Sequence, residues 1–139
     1  MSQLYMLDTN TVSYIVKGKS PAARARLAGL GSDESACISI VTEFELEFGL
    51  AKNPNAAKLR HALRWFLARI QVLPLGSGEA RAYGQLRVQQ EAAGRPLESK
   101  DKLIAAHAIA AGAILVTGDK VFSNAPGLMR ENWATDLAG

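Results

Sequence analysis

The sequence is poor in the residues that build thiolate-based or covalently cross-linked sites. It contains a single cysteine, Cys37, and only two histidines. A disulfide within the chain and a cysteine-based zinc site are therefore excluded. No apolar run approaches the roughly 20 residues needed to cross a bilayer, and the first residues lack the apolar region of a secretory signal. These absences predict a soluble, cytoplasmic protein with no membrane partner.

What is present is the composition of an ordinary globular protein. The 139 residues are 48% hydrophobic and 21% charged, which is enough to bury a core without cross-links. This length predicts one domain over residues 1–139. Sixteen Lys and Arg against 13 Asp and Glu give a net charge of +3. That charge permits a polyanionic partner without requiring one.

Short apolar segments alternate with helical segments along the chain. Strands are predicted over residues 3–7, 36–40, 71–75, 113–117 and 128–133. This alternation predicts an α/β fold with a mainly parallel central sheet, and continuously apolar strands indicate helices over both of its faces. Capping residues and helical periodicity predict the helices over residues 10–17 (capped by Thr9 or Asn10), 21–29, 42–51 (opened by Thr42), 55–70, 76–93 and 100–111.

Two acidic residues directly follow predicted strands. Asp8 comes after the first strand, and Asp119 comes shortly after the strand over residues 113–117. In parallel α/β sheets, ligands bind beyond the carboxyl ends of the strands. Each residue also has a purely structural interpretation, because Asp8 can cap the next helix and Gly-Asp is a common turn pair.

A third carboxylate, Glu45, lies in the predicted helix over residues 42–51. At 100° per residue, Val41, Phe44 and Phe48 form one stripe, and we expect this stripe to face the core. Glu45 lies at the edge of the stripe, so its carboxylate is predicted on the core side. A carboxylate in that position must be neutralised, pair with a base or hold a metal.

The fourth carboxylate, Asp101, lies in the first turn of the apolar helix that follows Ser99. An aspartate in this position complements the helix dipole, which is a sufficient structural reason for it. Lys100 and Lys102 flank it and are simple candidate partners. A functional role is the alternative.

Together, the four carboxylates come from four segments and are predicted near one edge of one sheet. Hard cations such as Mg²⁺ and Mn²⁺ bind carboxylate oxygens and need neither Cys nor His. A cation would also relieve the repulsion between the carboxylates. Such a site can ionise a bound water and stabilise charge on a phosphodiester, and the basic excess suits a phosphate backbone. The pattern therefore predicts metal-dependent phosphodiester hydrolysis.

Four short segments contain these carboxylates in chain order. They are residues 6–10 (MLDTN), 45–49 (EL followed by Gly49), 101–107 (DKLIAAH) and 115–119 (LVTGD). With Gly94-Arg95-Pro96 and residues 126–133, they resemble the PIN-domain ribonucleases, in particular the VapC-type toxins of bacterial toxin–antitoxin pairs. The resemblance covers nearly the whole chain.

The resemblance implies a metal-dependent endoribonuclease on a three-layer α/β/α PIN-like fold, the toxin of a type II toxin–antitoxin system. Motif by motif, the catalytic and metal-binding residues of the family fall on Asp8, Glu45, Asp101 and Asp119, with Mg²⁺ or Mn²⁺ as cofactor. The segment over residues 6–10, followed by Tyr14, resembles the members that cut initiator tRNA. RNA, with tRNA as a candidate, is therefore the implied substrate.

The resemblance also implies protein partners. Members of this family usually form homodimers, and a VapB-type antitoxin holds them inactive, often by placing a basic side chain in the acidic pocket. Two features depart from the family pattern: Glu98 stands where relatives often have Gly, and the stretch between Asp119 and Phe122 is one residue shorter than in many relatives.

Two other functions are compatible with the residues. The chain could be a catalytically inactive PIN-like module that binds RNA or protein, and the extra carboxylate at Glu98 is the reason to consider it. A metal-dependent phosphatase also uses strand-end aspartates. It would normally carry a second acid two residues after the first, where this chain has Asn10.

Overall fold

The central element of the fold is one fully parallel sheet. In the computed structural model, which describes residues 2–137, five strands pair in the order β3-β2-β1-β4-β5. The strands are β1 (Gln3–Leu7), β2 (Glu34–Ser39), β3 (Gln71–Leu73), β4 (Ile114–Val116) and β5 (Arg130–Glu131). All five lie where the sequence predicted strands, and the three after β2 are shorter than predicted.

Six α-helices connect the strands in the described part of the chain. Their positions agree with the sequence predictions, although the ends of several differ by two or three residues. They are α1 (Thr9–Lys17), α2 (Pro21–Ala28), α3 (Ile40–Lys52), α4 (Ala57–Leu67), α5 (Ser77–Ala92) and α6 (Ser99–Ala111).

The residues that begin two helices differ from the prediction. Helix α1 is capped by Asp8, whose side chain accepts from the Thr11 amide, and not by Thr9 or Asn10. Helix α3 begins two residues before Thr42, because the Ser39 side chain accepts from the Val41 amide. In both cases the last residue of the strand region supplies the cap, so each strand passes into its helix without a loop.

The sheet separates two hydrophobic cores, which gives the three layers that the sequence predicted. Alternate residues of β1 enter opposite cores: Tyr5 and Leu7 pack with residues of α1 and α4, whereas Met6 packs with residues of α5 and α6. Both faces of the sheet are therefore covered, as parallel sheets require. No helix within residues 2–137 is long and apolar enough to cross a membrane.

The prediction that Phe44 and Phe48 face the core is wrong. Their side chains are 67% and 64% exposed. Val41 is the one member of the predicted stripe that is buried, and α3 packs through it together with Thr42, Leu46 and Leu50. Both sets of residues recur at helical spacing, and the larger aromatic side chains made the wrong stripe look like the core. The leucines fill the interior, and the two phenylalanines form an apolar pair on the outer face.

The strand order reverses its direction between β1 and β4. The chain moves outward from β1 through β2 to β3, and then returns to the other side of β1 to form β4 and β5. The connections leaving β1 and β4 therefore diverge to opposite sides and leave a crevice beyond the carboxyl ends of these two strands. Asp8 follows β1 and Asp119 follows β4, which places both at this crevice.

Candidate active site

A cleft of about 330 Å³ lies at this crevice, and it brings all four predicted acidic residues together. The junction between β1 and α1 supplies Asp8, α3 supplies Glu45, α6 supplies Asp101 and the segment after β4 supplies Asp119. A fifth carboxylate, from Glu98, lines the same cleft. The other lining residues are Thr9, Asn10, Lys100, Ile104, Val121 and Phe122.

Asp8 is the most buried of these acids, with 4% of its surface exposed. Its Oδ1 atom accepts a hydrogen bond of 2.8 Å from the Thr11 amide at the start of α1. Burial raises the pKa of this carboxyl above its usual value, and the negative charge of Asp119 adds to that rise. Hydrogen bonds from Thr117 and Thr11 oppose the rise in pKa. The folded chain thus holds Asp8 where its charge is costly unless a cation is near.

Glu45 is held by two neighbours from different elements. The Thr9 hydroxyl donates to its Oε1 atom at 2.5 Å, and the Lys100 ammonium lies 3.1 Å from its Oε2 atom. The contact with Thr9 holds the Oε1 atom of Glu45 at the N-terminal end of α1. The sequence interpretation of Glu45 as a core-side carboxylate that must pair or hold a cation therefore agrees with its surroundings, although the stripe used to place it was wrong.

Asp101 lies in the first turn of α6, with Glu98 at the N-cap position of the same helix. The Glu98 side chain makes no capping hydrogen bond. Burial is the main cause that raises the pKa of Asp101, and the charges of Asp119, Glu98 and Glu45 raise it further. Lys100 acts in the opposite direction. The rise in the pKa of Asp101 therefore reflects burial first and the crowding of carboxylates in one cleft second.

Asp119 is fixed by the turn that follows β4. Its amide donates to the Thr117 hydroxyl at 3.0 Å, and its Oδ1 atom accepts from the Val121 amide at 3.0 Å. These contacts start the 3₁₀ turn over Lys120–Asn124. Asp119 therefore has the contacts of a turn residue and also lines the cleft, and Asp8 likewise caps α1 and lines the cleft.

The donor set fits a hard divalent cation. All five acidic groups offer oxygen ligands, and Cys37 lies in the core with a pKa that burial raises to about 12. Within residues 2–137 no three His, Cys, Asp or Glu side chains form a preassembled cage for a metal. Mg²⁺ does not require one, because it binds through one or two carboxylates and keeps several waters.

Sequence reasoning missed one charged residue of the cleft. Lys100 was expected to be a partner of Asp101, but its ammonium contacts Glu45 across the cleft. Helical periodicity in the sequence does not show that a lysine side chain on α6 extends as far as α3. His107 is 2% exposed and does not line the cleft.

Comparison with known proteins identifies this architecture. The family model of the PIN domain matches residues 5–128. The chain is 34% identical to Ribonuclease VapC2 of Rickettsia felis over 131 residues, which cover 94% of this chain and 98% of that protein. It is also 34% identical, with the same coverage, to the tRNA(fMet)-specific endonuclease VapC of Shigella flexneri.

A solved structure agrees with the sequence relatives. VapBC2 from Rickettsia felis, bound to a DNA fragment from their promoter, contains a chain that superimposes with a TM-score of 0.87 at 32% identity. The match covers 94% of this chain and 99% of that one. The relatives are named as ribonucleases and endonucleases, so a phosphatase on a related scaffold no longer fits. The chain belongs to the PIN-domain family and, within it, to the VapC ribonucleases.

Proposed function

We propose that the chain is a divalent-metal-dependent endoribonuclease, the toxin of a type II toxin–antitoxin pair, and that tRNA is its substrate. One observation carries the proposal: four carboxylates from four separate elements line one cleft at the point where the strand order reverses. Asp8 is buried, Glu45 and Asp101 are half-buried, and Asp119 is exposed. Crowding like charges around a buried carboxylate is costly, so their convergence at a ligand-binding crevice favours a catalytic use.

In this proposal Asp8, Glu45, Asp101 and Asp119 hold Mg²⁺ or Mn²⁺. When bound, such a cation supplies water activation and charge stabilisation at a phosphodiester. The burial and crowding that raise the pKa of Asp8 and Asp101 in the chain alone support this assignment, since a cation would relieve both effects.

The chain's own residues hold these carboxylates in place. The Thr11 amide orients Asp8, the Thr9 hydroxyl orients Glu45, and the Val121 amide orients Asp119. Such outer contacts fix the direction of each oxygen before a cation or RNA arrives. The side chains of Ile104 and Phe122 form apolar walls that limit the water around the charged groups.

The choice of tRNA rests on the relatives and on the sequence motif. The Shigella flexneri relative is named as a tRNA(fMet)-specific endonuclease. The segment over residues 6–10, followed by Tyr14, resembles the same subgroup. Initiator tRNA is therefore the first substrate to test.

The decisive experiment is gel-resolved cleavage of total tRNA and ribosomal RNA by purified protein in Mg²⁺, Mn²⁺ or EDTA. The test variant is Asp8→Asn, because asparagine retains the N-cap of α1 while removing the charge from the cleft. The matched control is Asp33→Asn, the same chemical change at an exposed position just before β2.

We expect a discrete, metal-dependent cut in tRNA by the wild type and by Asp33→Asn, and no cut by Asp8→Asn. Equal cleavage by Asp8→Asn would contradict the assignment of the site. No cut in either metal, from folded protein free of a bound partner, would favour the inactive binding module instead.

A VapB-type antitoxin is the proposed protein partner. The solved relatives from Rickettsia felis and Salmonella typhimurium are VapBC complexes bound to DNA. We expect a small DNA-binding protein encoded beside this chain to co-purify with it and to suppress the cleavage described above. A co-expressed neighbour that neither binds nor inhibits would contradict the antitoxin assignment and leave the nuclease assignment unchanged.

A homodimer is the proposed assembly. The outer face of α3 carries Phe44 and Phe48, each with about two-thirds of its surface exposed. Two large aromatic side chains one helical turn apart form an apolar pair that a second copy of the chain would cover.

A further inference from the structure

The acidic cleft already contains a cation that belongs to the chain. The Nζ atom of Lys100 lies 3.1 Å from the Oε2 atom of Glu45. Lys100 starts from the first turn of α6, so its side chain extends across the cleft to reach α3. The Glu45 side chain is 22% exposed, whereas the Lys100 side chain is 56% exposed. The Thr9 hydroxyl also binds this carboxylate, so Glu45 is the more buried and the more tightly held member of the pair.

Lys100 is also the one basic residue among the described residues that line the cleft, against five carboxylates. Electrostatics alone would place a positive group here, because the carboxylates repel one another. A divalent cation bound to Glu45 would take over that charge and repel the ammonium from the same oxygens. The displaced ammonium has three donors on a long flexible stem, and the nearby charges of Asp101 and Glu98 would keep it at the cleft.

A nuclease with this cleft must bind RNA despite the repulsion between the RNA phosphates and its own carboxylates. RNA brings a polyanionic backbone toward a surface that carries five acidic groups. A lysine ammonium is a common phosphate ligand because it acts as a compact point charge. Lys100 is placed to supply such a contact at the cleft itself, which the remote basic residues of the helices are not.

We propose that Lys100 has two alternating partners: it binds Glu45 and competes with the divalent cation in the metal-free chain, and it binds an RNA phosphate oxygen once the cation occupies the carboxylates. This inference rests on the proposed nuclease function. It makes opposite predictions for the two ligands, because removing the ammonium should strengthen the binding of metal and weaken the binding of RNA.

The first measurement is the affinity of the RNA-free protein for Mn²⁺ by isothermal titration calorimetry. We expect Lys100→Met to bind Mn²⁺ roughly two- to fivefold more tightly than the wild type, the scale of one partly exposed ion pair. Lys58→Met is the matched control, because Lys58 is exposed on α4 and does not line the cleft. It loses the same net charge and should leave Mn²⁺ affinity unchanged.

The second measurement is steady-state cleavage of the preferred RNA in saturating Mn²⁺. We expect Lys100→Met to raise KM about tenfold, the scale of one charge-assisted contact to a phosphate. Lys100→Arg retains a cation on a long stem, so it should restore most of the RNA affinity and most of the competition with Mn²⁺. Recovery by arginine separates the role of the charge from a role in packing.

The outcomes separate this inference from the proposed function. Wild-type protein that binds Mn²⁺ and cuts RNA, beside a Lys100→Met variant with unchanged or weaker Mn²⁺ affinity, would overturn the inference alone. Tighter Mn²⁺ binding with an unchanged KM would overturn it as well, because the phosphate partner would be missing. Failure of the wild type to bind Mn²⁺ would overturn both the proposed metal site and this inference.

Discussion

The Nδ1 atom of His107 lies 2.7 Å from the Oγ atom of Ser39, which joins α6 to the end of β2 in the buried interior. Ser39 Oγ also accepts from the Val41 amide. A neutral imidazole suits the contact with Ser39, with Nδ1 accepting from the serine hydroxyl. His107 therefore serves the packing of α6 against the sheet.

The first prediction concerns the pH dependence of stability. Burial lowers the pKa of His107 below its ordinary value of 6.5, so the unfolded chain binds more protons as the pH falls below 6.5. The free energy of unfolding should then fall on acidification, with a slope of at most about 1.4 kcal/mol per pH unit from this one group. Urea unfolding of the wild type and of His107→Gln between pH 7.5 and pH 5.5 measures it.

The difference between the two proteins isolates His107 from the carboxylates that also titrate. We expect the wild type to lose more stability than His107→Gln across that interval. Parallel pH profiles for the two proteins would show that the imidazole does not contribute.

The second prediction concerns Asp8 and the effect of removing metal. Burial raises the pKa of Asp8, so its charge destabilises the metal-free fold above that pKa, and the cost disappears below the unfolded value near 3.8. Asp8→Asn should therefore be more stable than the wild type at pH 7 in EDTA, and this advantage should shrink as the pH falls toward 4. Asparagine retains the cap of α1, so the comparison is one of charge.

Addition of Mn²⁺ should reverse this order. At a concentration of 100 Kd, a ligand that binds the folded state alone stabilises it by about 2.7 kcal/mol. We expect that gain in the wild type and little of it in Asp8→Asn, measured by urea unfolding with Mn²⁺ or EDTA. An equal gain in both proteins would place the cation away from Asp8.

The third prediction concerns the hydroxyl that holds Glu45. Thr9→Val removes the donor to Glu45 Oε1 while keeping the shape of the side chain. Loss of a contact that orients a metal ligand typically costs about 10- to 100-fold in activity or metal affinity, and we expect a fall of that size in the rate of RNA cleavage. Thr9→Ser retains the hydroxyl and should retain most of the activity. Equal activities in the two variants would show that the hydroxyl has no role.

The fourth prediction concerns the apolar pair on α3 and the proposed homodimer. We expect the wild type to have twice the monomer mass in light scattering, and Phe44→Lys combined with Phe48→Lys to lower it to the monomer mass. Both side chains are largely exposed in the single chain, so we expect the stability of the monomer to change by no more than about 0.5 kcal/mol per site. Met129→Lys, at another exposed apolar residue outside α3, is the control. A double variant that stays dimeric would exclude this face from the interface.

Much of this architecture was predictable, because strands and carboxylates carry local signals. The apolar runs placed every strand, and a carboxylate after a buried strand located Asp8 and Asp119 without coordinates. The capping role of Asp8 and the turn role of Asp119 are both compatible with a position in the cleft. Each side chain lines the cleft while one oxygen of its carboxylate accepts a hydrogen bond from a backbone amide.

The parts that sequence patterns missed depend on packing between elements. Periodicity alone could not distinguish the leucine stripe of α3 from the stripe with Phe44 and Phe48, since both have helical spacing. The partner of Lys100 depends on how far α6 lies from α3, and on the conformation of a side chain with four rotatable bonds. Neither the distance between the two helices nor the conformation of the lysine side chain can be deduced from the sequence of one helix.

During synthesis the cleft can form only after β4 has been made and has paired with β1. The Asp8 amide donates to the Val116 carbonyl, and the last acid of the cleft stands at position 119. At about 5–20 residues per second, a ribosome needs roughly 6–20 s to travel from the first acid to the last. A nascent chain therefore carries no complete cleft until residue 119 has been added. Before that point the proposed metal site lacks one of its four carboxylates, so the growing chain cannot act on RNA through this cleft.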